Sequence, residues 1–126
     1  MFGYERRENR RCPCNDFLDD MEQHMLRRFK GQMSALTKDG GASYENHQRF
    51  CPLRGAGKPL WEFKEHDHRL YCVRLPRPEG KMDVVLLNGW TKDKRGKTER
   101  EAREIQKAVD LHVEFLAEYP GGELNK

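Results

Sequence analysis

A chain of 126 residues with 24 Lys and Arg against 21 Asp and Glu carries a formal net charge of +3, and 36% of its residues are charged and 36% hydrophobic. That length predicts one domain, 1–126, with one core, and the 10% aromatic content with its regular apolar spacing excludes a chain disordered throughout. The slight basicity does not select a nucleic-acid binder, and the N-terminus MFGYERRENRR lacks the apolar segment of a secretory signal. No stretch reaches the ~18 apolar residues of a membrane span, so a soluble cytoplasmic protein with reduced thiols at Cys12, Cys14, Cys51 and Cys72 is expected.

Residues 1–15 are charged and without periodicity, which predicts an arm or a short irregular strand. Leu18, Met21, Met25, Phe29, Met33 and Leu36 recur every three or four residues, the spacing of one helix face. The helix is expected to begin near an N-cap at Asn15 or Asp16 and to stop at Lys38-Asp39-Gly40-Gly41, with Gly31 weakening its middle enough to allow two helices in a hairpin. Residues 42–59, rich in Gly, Pro and polar side chains, read as a loop.

Three strands follow, at Leu60–Lys64, Arg69–Leu75 and Asp83–Asn88, with connections short enough for an antiparallel meander. Val84-Val85-Leu86-Leu87 is apolar on both faces and marks the most buried strand, and Trp61 and Trp90 read as core. In the second strand Leu70 and Cys72 should oppose Arg69, Tyr71 and Val73. Thr98 and Glu101 have the spacing of a capping box for a last helix whose apolar side is Ile105, Ala108, Val109, His112, Phe115, Leu116 and Tyr119, stopped by Pro120-Gly121-Gly122. The order predicts an α+β domain: two N-terminal helices and a C-terminal helix packed on one face of an antiparallel sheet of three to four strands, the other face staying polar.

Several of these segments, in this order, match a known pattern. Pro52-Leu53, Gly57, Leu60-Trp61-Glu62-Phe63-Lys64, His68-Arg69-Leu70-Tyr71-Cys72-Val73 and Val85-Leu86-Leu87-Asn88-Gly89-Trp90-Thr91-Lys92, followed by a helix through Thr98 and Ala108, resemble the RelE/ParE superfamily, above all its HigB-like, phage-derived branch. The resemblance covers about half the chain. It implies a RelE-like fold and the toxin of a type II toxin–antitoxin pair: a messenger-RNA endonuclease acting at the ribosome without metal or cofactor, restrained by a cognate antitoxin of helix-turn-helix type.

Cutting RNA in that manner makes the 2′-hydroxyl attack the neighbouring phosphorus. A proton acceptor, donors for the added negative charge and a proton source for the leaving 5′-oxygen are all required. Arg69 is the expected phosphate clamp, because a guanidinium is always charged and binds bidentately. Lys64 should share its sheet face. Lys92 heads a cationic run continued by Lys94, Arg95 and Lys97, where crowding by like charge favours a neutral amine able to act as a base. His68, beside Asp67 and His66, is a candidate acid or base. Arg54, Lys58 and Tyr71 complete the expected RNA contacts, Tyr71 by stacking on a base.

The Cys12-Pro13-Cys14 spacing departs from that of a zinc knuckle, so no metal is assigned. Two readings compete with the nuclease: a ParE-like module that inhibits gyrase by binding it, and a phage RNA-binding or regulatory protein that has lost nuclease activity.

Overall fold

β-branched, aromatic and apolar residues fill three consecutive strands, β3 (Leu60–Glu65), β4 (His68–Pro76) and β5 (Met82–Thr91), which pair antiparallel in sequence order. The structure, a computed structural model, describes residues 2–6, 9–38, 50–53, 60–76, 82–92 and 98–119. Two short strands widen the sheet. β1 (Phe2–Gly3) runs parallel to β5, and β2 (Phe50–Pro52) antiparallel to β3, giving the order β1-β5-β4-β3-β2. The charged N-terminus thus does open on an edge strand, and β2 forms inside the stretch expected to be loop.

Between Leu70 and Cys72 of β4 the partner residues on β5 run from Gly89 to Leu86, so β5 carries one extra residue. This bulge resets which side chains face which side.

The helices are α1 (Pro13–Asp19), α2 (Gln23–Lys38) and α3 (Thr98–Glu118). The break in the N-terminal pair falls at residues 20–22 rather than at Gly31, which lies inside α2. α1 starts with Pro13 in its first turn and Cys12 as N-cap, ahead of the expected Asn15 or Asp16. Proline suits that position because its missing N–H would have had no partner in the helix.

Helices do not keep to one side of the sheet. Alternating strand residues enter two separate cores. Leu60, Tyr71, Val73, Val85, Leu87 and Trp90 pack with Tyr4 and with Ala108, Leu111 and Phe115 of α3. Phe63, Leu70, Cys72, Val84 and Leu86 pack with Phe50 and with Cys14 and Phe29 of α1 and α2, joined by Phe17, Leu18, Met21 and Met33. The expectation of one polar face is therefore corrected: both faces are covered, as β5 with its unbroken apolar run requires. Each core also extends to the N-terminal arm, where Arg6 clamps Glu114 of α3 through Nε (3.1 Å) and Nη2 (3.0 Å).

Candidate functional site

The β3–β4 hairpin turns on two residues, His66 and Asp67, with His66 at φ 53, the left-handed region that a two-residue turn demands of its first residue. Its register sets Lys64 opposite Arg69 and Glu62 opposite Tyr71, while Arg69 is opposite Trp90 of β5. Lys64 and Arg69 consequently share a face, as expected. Like charges directly opposite are unfavourable in a sheet, so this pair is not explained by strand stability. Arg69 is fixed in place by its own turn, Nη1 donating to the carbonyl oxygens of His66 (2.6 Å) and His68 (2.9 Å). The chain beyond β5 is drawn to the same turn, since the Lys92 amide donates to Asp67 O at 2.7 Å.

All three of these cations act electrostatically on one acid, Glu62. Its side chain is only 12% exposed, with the Lys64 ammonium 3.9 Å away. Burial pushes its carboxyl above the ordinary carboxylate range, and Lys64, Arg69 and Lys92, in that order, oppose the rise. Glu101, near the start of α3, pushes it further up while holding Lys92 Nζ at 2.6 Å. A carboxylate that burial has made more basic, in the field of three cations, can accept a proton next to a site that attracts a phosphate.

Lys92 is thus placed with Lys64 and Arg69, yet its described neighbour is a carboxylate rather than other cations. The ion pair orients the Lys92 ammonium against Glu101. Glu101 faces Lys92, where a capping box for α3 was expected of it.

Two of the expected site residues stand apart from the cations. Tyr71 is 1% exposed and its hydroxyl accepts from Trp90 Nε1 at 2.8 Å, so it is packed in the core and presents no ring to a base. His68 sits next to Arg69 in the strand and therefore on the other face, its ring 6.1 Å from that of Phe17 and 6.4 Å from that of Phe29. There Nδ1 lies 2.7 Å from Thr91 Oγ1, and desolvation lowers the imidazole below its ordinary range in spite of Asp67. Arg54, Lys58, Lys94, Arg95 and Lys97 lie outside the described residues.

The residue missed by sequence reasoning is Glu62. Its only signal was an acid two positions before Lys64 on a strand, where a solvated charge is the ordinary reading; its desolvation comes from tertiary packing.

A cleft of about 630 Å³ lies elsewhere, between the α1–α2 elbow and the start of α3, with Asp16, Asp20, Phe17, Met21, His68 and Trp90 in its walls. None of Glu62, Lys64, Arg69 and Lys92 lines it. The four gather instead on the α3 side of the sheet, at its hairpin end. Among the described residues no three His, Cys, Asp or Glu side chains gather to hold a metal ion, and no helix is long and apolar enough to cross a membrane. Set against known proteins, the chain matches no family model, no curated protein and no solved structure.

Proposed function

We propose that this protein is an endoribonuclease that cuts messenger RNA by 2′-hydroxyl attack, and that it is the toxin of a toxin–antitoxin pair acting at the ribosome. The observation that carries the chemical part is the largely desolvated Glu62, with its raised proton affinity, in the field of Lys64, Arg69 and Lys92. The toxin role, the ribosome and the antitoxin rest on the sequence resemblance.

In this reading Glu62 takes the 2′-hydroxyl proton as O2′ bonds to phosphorus. Arg69 and Lys64 stabilise the charge added to the phosphoryl oxygens, worth about 3 kcal/mol for each well-aimed donor. The P–O5′ bond breaks as the Lys92 ammonium, oriented by Glu101, protonates the leaving oxygen. The products are a 2′,3′-cyclic phosphate and a free 5′-hydroxyl, and the proton held by Glu62 restores Lys92.

Inducible expression in a bacterium with primer-extension mapping of transcripts tests this directly. Discrete cuts within translated codons are expected, lost with Arg69→Ala and with Glu62→Gln. Growth arrest with intact messages and altered supercoiling would replace the nuclease by a gyrase-binding module. No growth effect and no cuts would leave only an RNA-binding or regulatory role.

A further inference from the structure

Two thiols meet on the face of the sheet opposite the cation cluster, beside the core beneath α1 and α2. Cys12 Sγ and Cys14 Sγ are 3.2 Å apart, closer than two sulfurs approach without a hydrogen bond or a bond between them. The sequence places a proline between them, and the fold makes Cys12 the extended N-cap and Pro13 the first residue of α1, a geometry that turns both side chains to the same side. Their surroundings are built for close approach. Gly3 of β1 lies against both: a Cβ there would stand 2.7 Å from Cys14 Sγ and 2.9 Å from Cys12 Sγ, inside van der Waals contact. The two differ in access, Cys14 being fully buried and Cys12 half-buried. Cys72 is buried in the core on β4.

We infer that Cys12 and Cys14 form a reversible dithiol–disulfide couple, oxidised by small disulfides of the glutathione class. The Cys12 thiolate, the accessible partner, attacks one sulfur of glutathione disulfide and releases one glutathione thiolate, leaving a mixed disulfide on Cys12. Cys14 then loses its proton to solvent and its sulfur attacks that of Cys12, expelling a second glutathione. Two thiols of the protein are oxidised and one glutathione disulfide is reduced to two glutathiones. Exchange of this kind proceeds through the thiolate and depends on access to the attacked sulfur, which assigns the first step to Cys12 and the second to Cys14. Burial, together with the hydrogen bond to Cys12, raises the Cys14 thiol above the ordinary range, so ring closure speeds up with rising pH. The sulfurs need to move by only about an ångström to reach the ~2.05 Å of a disulfide, so closure leaves α1 in place.

The full chain, reduced and then incubated with excess glutathione disulfide, is read by intact mass and by alkylation with peptide mapping. The expected result is loss of two hydrogens, with Cys12 and Cys14 both protected and Cys72 still alkylated after unfolding. Cys14→Ser is expected to stop at the mixed disulfide on Cys12, and Cys12→Ser to react at least tenfold more slowly; both are near-isosteric and leave the fold intact by circular dichroism. Restoration of both thiols by dithiothreitol completes the couple. The inference is overturned if Cys12 and Cys14 stay alkylatable in the oxidised wild type, if the mixed disulfide on Cys12 persists in wild type as it does in Cys14→Ser, or if the disulfide maps to Cys51. These readouts do not depend on RNA cleavage.

Discussion

Glu62 bears two costs that a surface carboxylate avoids: it is desolvated, and it stands near Glu101. Its folded-state proton affinity lies above that of the unfolded chain, so folding stability falls as pH rises from the ordinary carboxylate value through the raised one. Glu62→Gln removes this loss. The variant is expected to melt higher than wild type at pH 7, with the difference vanishing below about pH 4, while RNA cleavage drops by about 10²-fold or more. Equal melting at both pH values would show that folding does not raise the carboxyl's proton affinity, and retained cleavage that it is not the proton acceptor.

His68 titrates in the opposite sense. Its lowered affinity means that the unfolded chain binds the proton first, so stability declines as pH falls below about 6.5 until folded His68 itself protonates. His68→Gln should flatten that decline in thermal melts and leave RNA cleavage within a few-fold of wild type, because the ring faces α1 and α2 rather than the cations. Tyr71→Phe is a third case: it strands a buried Trp90 N–H and is expected to lower stability by about 1–3 kcal/mol in urea unfolding.

At the level of elements, the glycines separate what a helix wants from what packing demands. Gly31 lies in the interior of α2 with nothing within 4 Å of where a Cβ would stand. Gly31→Ala should therefore stabilise the protein by about 0.5–1 kcal/mol, a rise readable in denaturant midpoints. Gly89 is the reverse. On β5, beside the bulge, it receives the ring of Phe17, and any Cβ would collide with that ring. Gly89→Ala should cost about 1–3 kcal/mol by pushing α1 off the sheet, and less in a Phe17→Ala background. Equal costs in the two backgrounds would place the strain elsewhere than at the α1–β5 contact.

For the molecule as a whole, one sheet supports two cores, and neither core closes without it. Trp61 belongs with the core beneath α1 and α2, where Arg74 lies 4.5 Å over its ring, and Trp90 with the core beneath α3. Variants retaining a single tryptophan thus report on opposite faces. Their fluorescence transitions in urea are expected to coincide, because the strands between them contribute alternate residues to each side. Two separated transitions would show that the layers unfold independently.

Periodicity and turn chemistry in the sequence were enough to place β3, β4, β5 and α3, the pairing of Lys64 with Arg69, and the burial of Cys72. These are local properties: a period of two or of 3.6 residues and a two-residue turn determine them before anything packs. The place of the break between α1 and α2, the partner of β1, the edge strand β2 and the cover on both sheet faces were beyond it. Each of these depends on a partner distant along the chain, as when Phe2 and Gly3 find Val85 and Leu86. The site divides in the same way. Its cations are legible as residue types, but the basicity of Glu62 arises from desolvation by neighbours that only the folded chain assembles, and so do the burial of Tyr71 and the removal of His68 to the far face.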